Sequence, residues 1–196
     1  MPRTKRASAS RRQGSRANAR GSRRRNGSSR DAIALLKSDH REVESLFSQF
    51  EKARQSDRKQ EIAMKICEAL RAHTTIEEEI FYPAFLEATQ EEDIHHEAEI
   101  EHEGAKRLIA DIEGSSPDDD HYDARVSVLS EMIKHHVKEE EQPGGMFAKA
   151  RQSEMDLQSL GERLRSRKEE VMGESASRGR GQSRRGRAAE VGVRMG

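Results

Sequence analysis

Four histidines recur at nearly regular intervals, His40, His73, His102 and His136, separated by 33, 29 and 34 residues. Glu77 follows His73 by four positions, and Glu140 follows His136 by four. At a rise of about 1.5 Å per residue, each His–Glu pair lies one helical turn apart on a single face. Imidazole and carboxylate together suit iron, zinc or manganese. A buried carboxylate is costly unless it is paired or bound to a cation, so two Glu and four His aimed at one core predict a metal centre. Six donors exceed a closed tetrahedral zinc site and suit two metals, with Glu77 and Glu140 bridging and His on either side. His-x-x-x-Glu by itself is a weak pattern, since it recurs at His40/Glu44, His95/Glu99 and His135/Glu139. The common register of the four His is what sets the six apart.

Each of these His interrupts an apolar stripe with the three-and-four spacing of a helix. Asp31 is an N-cap, followed by Ile33, Leu36, Val43, Phe47 and Phe50, with His40 on the same stripe. A second helix begins near Ser56-Asp57, carries Ile66, Leu70, His73, Glu77 and Ile80, and is ended or kinked by Pro83. Thr89 to Glu92 reads as a capping box for a third helix, closed by Gly114. Ser116 then caps a fourth helix with Pro117 at its first position; Val126, Leu129, Ile133, His136 and Glu140 share its face. His136/Glu140 is preferred over the neighbouring register His135/Glu139 because it continues that stripe. After Pro143-Gly144-Gly145, Met146 to about Met172 reads as a fifth, more exposed helix. No segment alternates with a period of two. The predicted fold class is all-α: an antiparallel up-down four-helix bundle with an additional C-terminal helix and disordered basic tails. In such a bundle four mid-helix positions fall at one height.

The chain has 196 residues, 36 Lys+Arg and 36 Asp+Glu, a formal net charge of zero that hides a strong segregation. Residues 1–30 hold 11 basic and no acidic side chains, and residues 173–196 hold six Arg against Glu174 and Glu190. Residues 31–172 therefore carry 19 basic and 34 acidic groups, a net of −15, together with all eight His. The expected organisation is a disordered basic N-terminal tail (1–30), the bundle (31–150), a C-terminal helix (151–172) and a disordered basic C-terminal tail (173–196). No apolar run is long enough to span a bilayer, and the N-terminal segment lacks the apolar stretch of a secretory signal. The single cysteine, Cys67, excludes an intramolecular disulfide framework and a thiolate cluster, and suits the reducing cytoplasm. Aromatic residues are 4% and Trp is absent, which disfavours a stacking platform for single strands.

Four segments together resemble hemerythrin-like domains of the HHE cation-binding type: Ser38-Asp39-His40-Arg41-Glu42-Val43, His73 through Pro83, Glu101-His102-Glu103, and His135 through Glu141. The resemblance covers about residues 31–150. It implies a four-helix bundle with a non-haem, oxo-bridged centre of two iron ions, and the ligands His40, His73, Glu77, His102, His136 and Glu140. Oxygen-carrying hemerythrins have a second His four residues from the helix-three ligand; here Ala98 and Lys106 occupy those places. His95 or Glu99, which share a face with His102, are the candidates to supply the missing donor.

The expected function is binding or sensing of oxygen, nitric oxide, peroxide or iron itself, more a binding protein than an enzyme, with weak catalase- or peroxidase-like chemistry as an extension. Phe47, Phe50, Phe81 and Tyr82 are candidate walls of a ligand pocket. No nucleophile triad or phosphate-cradling Gly loop is present. A second reading is an acidic helical scaffold whose basic tails contact nucleic acid without sequence preference, since unopposed Lys and Arg neutralise phosphates. No membrane partner is expected.

Overall fold

The computed structural model describes residues 31–192; the expectation for residues 1–30 and for the last four residues lies outside them. The described chain is helical and, within those residues, has no strand. Its elements are α1 (Ala32–Lys52), α2 (Ser56–Ile76), a π turn (Glu77–Phe81), α3 (Tyr82–Thr89), α4 (Glu92–Glu113), α5 (Tyr122–Glu141), α6 (Met146–Gln152) and α7 (Leu157–Gly192). The four long helices α1, α2, α4 and α5 form the bundle, with α1 against α2, α2 against α4, α4 against α5 and α5 against α1. Asp31 caps α1 as expected, its Oδ1 accepting from the Ala34 amide at 2.8 Å.

Local chemistry explains where the element ends depart from expectation. Pro83 does not end the second helix. Its missing N–H and its ring are accommodated by the wider π turn, in which the Tyr82 amide reaches back five residues to the Glu77 carbonyl, and the chain continues helically as α3 with Pro in its first turn. Thr89 donates its hydroxyl to the Phe85 carbonyl at 2.8 Å rather than capping the next helix, and Gln90 turns the chain with φ 58. Ser116 and Asp119 close a turn on each other, the Ser116 amide donating to Asp119 Oδ2 and the Asp119 amide to the Ser116 carbonyl. The fourth bundle helix thus starts one turn later, at Tyr122. The expected fifth helix is broken at residues 153–156 into α6 and α7, and α7 runs past Met172 to Gly192.

Two apolar clusters fill the interior. One joins Val43, Phe47, Ile66, Leu70, Ile109, Leu129 and Ile133. The other joins Ile33, Leu36, Ile76, Phe81, Phe85, Phe147, Leu160 and Leu164. The second cluster is closed over the end of the bundle by α3, α6 and the start of α7. Along α1, residues 33–36 belong to the second cluster and 43–50 to the first, and α2 and α4 repeat this division, whereas the clustered residues of α5 all belong to the first. His40, His73, His102 and His136 lie at the boundary, so a thin polar layer is held between two dry ones. Burying each large apolar side chain contributes roughly 1.5–3 kcal/mol, and this burial is what holds the polar layer away from water. Cys67 lies in the first cluster, and burial pushes its thiol up to about 12, which leaves it protonated and inert. Among the described residues no helix is long and apolar enough to cross a membrane.

Candidate metal centre

The four bundle helices each bring one His to the polar layer with Nε2 directed inward. His40 Nε2 and His73 Nε2 are 3.1 Å apart, and His102 Nε2 and His136 Nε2 are 3.2 Å apart. Glu77 joins the two pairs: its Oε2 is 3.1 Å from His73 Nε2 and 3.4 Å from His102 Nε2. Glu140 does the same from the opposite side, its Oε2 lying 3.2 Å from His40 Nε2 and 3.7 Å from His136 Nε2. The structure therefore brings together all six residues singled out by spacing. They form two donor groups that share Glu77: His40, His73, Glu77 and Glu140, and Glu77, His102 and His136. Every one is buried, Glu77 completely so. His135, the alternative on α5, is 62% exposed.

The outward nitrogens are held just as systematically. His40 Nδ1 faces Glu141 at 2.8 Å, His102 Nδ1 faces Glu78 at 2.9 Å and His136 Nδ1 faces Glu101 at 2.8 Å. His73 Nδ1 faces Asp39 at 3.7 Å, an electrostatic contact longer than a hydrogen bond. Such carboxylates fix the tautomer and orientation of a ligating His and raise its basicity. In each case the carboxylate is the chain neighbour of a donor on its own helix and holds the His of the next helix. The sequence is Asp39 of α1 to α2, Glu78 beyond α2 to α4, Glu101 of α4 to α5, and Glu141 of α5 back to α1. Three of the four carry a permanent cation in turn: Asp39 has Lys168 at 2.8 Å, Glu78 has Lys106 at 2.5 Å, and Glu141 has Arg41 at 2.6 Å and Lys37 at 3.2 Å. Glu101 has His135 at 3.4 Å instead.

Tyr82 completes the layer. Its hydroxyl lies 3.1 Å from His102 Nε2 and 3.4 Å from both Glu77 Oε2 and Glu140 Oε1. A residue five positions beyond Glu77 would point well off its face in an α-helix; the π turn brings Tyr82 back over it. Helical periodicity alone therefore marked Tyr82 as a wall and not as a polar neighbour of the centre. Burial, with Glu77 and Glu140 beside it, holds this phenol protonated well above its ordinary range. His95 and Glu99, the candidates for an extra donor, stay apart. His95 packs edge-on against the Tyr82 ring at 5.9 Å, and together with His96 and Glu99 it forms a separate, more exposed group. Of the four aromatic side chains proposed as walls, Phe81 and Tyr82 lie in the cluster above the centre, whereas Phe47 and Phe50 lie in the one below. Phe147, which spacing did not single out, stacks on the His40 ring at 5.7 Å.

The electrostatics describe a site built around positive charge. Burial alone would lower His73, but Glu77 and Asp39 raise it to about 10. His136 is raised in the same way, Glu140, Glu101 and Glu77 overcoming burial. Against burial, which raises a carboxyl, His73, His102 and His136 hold Glu77 well below the usual carboxylate range. Glu77 Oε1 and Glu140 Oε2 nonetheless have no hydrogen-bond donor in this dry layer. Protein donors leave both oxygens unsatisfied while four Nε2 atoms converge on the two carboxylates, and a metal cation answers both needs. The residues present fit a metal.

The hemerythrin HHE cation binding domain model matches residues 31–143. The chain belongs to this family, and its centre is a cation-binding one. Its fold is similar to that of a hemerythrin HHE cation binding domain-containing protein from Mycobacterium kansasii, with a TM-score of 0.65 and 21% identity over 77% of this chain and 93% of that one. A DNA nickase from Nostoc sp. is 31% identical over 107 residues, which cover 55% of this chain and 30% of that protein.

Proposed function

We propose that the centre holds two iron ions, one between His40, His73, Glu77 and Glu140 and the other between His102, His136 and Glu77, with Glu140 and Tyr82 in reach. The observation that carries this reading is the pair of buried, unpartnered oxygens, Glu77 Oε1 and Glu140 Oε2, set among four inward imidazoles. Iron bound there supplies a Lewis-acidic and redox-active position for a small ligand. The function that follows is binding or sensing of oxygen, nitric oxide or peroxide, or of iron itself, in the reducing cytoplasm that the single cysteine suits. This chain's residues do the rest. The four outer carboxylates aim the imidazoles, Tyr82 offers a hydroxyl proton at the edge of the layer, and Phe81 and Phe147 keep water out from above. Aerobically purified protein is expected to contain about two irons per chain and to absorb in the near-ultraviolet and visible, and a colourless, metal-free protein overturns the reading. Mixing the reduced protein with oxygen, nitric oxide and peroxide in turn then ranks the ligands.

A second reading is favoured by one observation, the similarity to a DNA nickase over 107 residues. A two-metal centre can stabilise the attacking and leaving oxygens of a phosphodiester displacement, and the basic segment 1–30 would hold DNA electrostatically. Supercoiled plasmid incubated with metal-loaded protein tests it. Metal-dependent conversion to the open circle, lost in Glu77→Ala, supports nicking, and unchanged plasmid removes it.

A further inference from the structure

The polar layer is largely sealed by apolar side chains; a small apolar-walled void of about 10 Å³ lies against the four His, and a much larger groove reaches His136 and Glu140. A cleft of about 570 Å³ runs between α4 and α5 beneath the turn into α6, and its floor includes His136 and Glu140. Glu140 is 2% exposed, lines this cleft, and carries a buried Oε2 without a hydrogen-bond donor. The rim carries Glu97, Glu101, Glu139 and His135, and no Lys or Arg lines the cleft. Elsewhere around the centre each outer carboxylate is neutralised by Lys or Arg, whereas Glu101, facing the cleft, has only imidazoles among its described partners. Acidic charge is thus left unneutralised along this approach to the donors. Ala98, one turn before His102, lines the passage with a single methyl group, where any longer side chain would narrow it.

We propose that this cleft is the route by which a divalent cation enters the centre, drawn by Glu97 and Glu139 and passed by Glu101 to Glu140 and His136. The inference rests on the metal-centre reading above and adds a path and a charge preference to it. A cleft lined by one sign of charge with low-dielectric walls accelerates capture of the opposite charge, and the effect weakens as salt shortens the screening length.

Uptake of cobalt(II) by the full-length, metal-free protein, followed by its withdrawal from a chromophoric chelator, tests the route. In Glu97→Gln/Glu139→Gln the uptake rate at low salt is expected to fall by about threefold to tenfold, with a flattened salt dependence and the same final stoichiometry. Glu103→Gln, on α4 but outside the cleft, is expected to match the wild type. Ala98→Leu is expected to slow uptake at every salt concentration. Equal rates in the wild type and the double variant overturn the proposal, as does an unchanged rate in Ala98→Leu. A lowered endpoint in the double variant also overturns it, since Glu97 and Glu139 would then be ligands rather than a path. Wild-type protein that takes up no cobalt overturns the metal-centre reading as well, so the two failures are distinguishable.

Discussion

The two halves of the centre are built from the same residue types and differ in closure. On the α1/α2 side, His40 and His73 have both Glu77 and Glu140 within 3.2 Å, Phe147 is stacked over His40, and both outer carboxylates are tied to Lys or Arg. On the α4/α5 side, His102 and His136 share Glu77 with the other half, reach Glu140 only at 3.7 Å, and open onto the cleft. Tyr82 sets its hydroxyl 3.1 Å from His102 Nε2 on this side. One half is supplied with protein donors and dry, and the other is short of donors and accessible. On the proposed two-metal reading, exchange of ligand or metal is expected at the α4/α5 half, with the α1/α2 half as the anchor.

The largest expected effect erases the distinction altogether. Glu77→Ala removes the one carboxylate common to both donor groups, and metal analysis should show both sites emptied. Phe147→Ala acts on the closed half. It opens a cavity beside His40 and is expected to destabilise the fold by about 3–5 kcal/mol, read from chemical denaturation. Glu101→Gln acts on the open half. Loss of a carboxylate behind a ligating His typically weakens metal binding about 10- to 100-fold, so titration with a competing chelator should release one metal early and leave the other in place. If the two metals of Glu101→Gln leave together, the halves are not independent. Tyr82→Phe is the mildest change. It deletes hydrogen bonds contributing about 1 kcal/mol, and the shift should appear in the affinity of the open half alone.

Acid and base each lower the stability of the metal-free protein, through different groups. His73 is raised from its ordinary 6.5 to about 10, so its contribution to stability is full below about 6.5 and is lost as pH climbs towards 10. Glu77, Glu78, Glu101 and Glu141 are lowered, so theirs is present above the ordinary carboxyl range and is lost as pH falls below it. Thermal unfolding of the metal-free protein should show greatest stability between about pH 4.5 and 6.5. Metal must displace the His73 proton, so affinity should rise with pH across the same interval. A metal-free Tm that keeps rising from pH 6.5 to 9 contradicts this charge assignment.

The six donors were legible because His40, His73, His102 and His136 replace apolar residues on stripes that α-helical geometry requires to face inward. The four helices followed from the same stripes. What the stripes could not convey depends on departures from that geometry or on contacts across the bundle. Tyr82 enters the layer only because a π turn shifts the helical phase around Pro83. Asp39, Glu78, Glu101 and Glu141 sit beside donors in the chain, but each serves a His on another helix, a pairing that needs the three-dimensional arrangement. Lys168 is further removed still. It lies on α7, expected only as a more exposed helix, yet it holds the carboxylate behind His73. Helix starts were shifted where Thr89 and Ser116 bonded locally instead of capping.

The cyclic order of the outer carboxylates has a mechanical meaning. Each bundle helix steadies a ligand of the next, and the last steadies the first, so no helix can slip by one turn without releasing two of the four links. Closure of this loop requires every helix to be in register at once. Completeness of the six donors is in that sense a parity check on assembly: with α2 or α5 out of phase neither donor group is complete, with α1 or α4 out of phase only one is, and the full set forms only in the correctly meshed bundle.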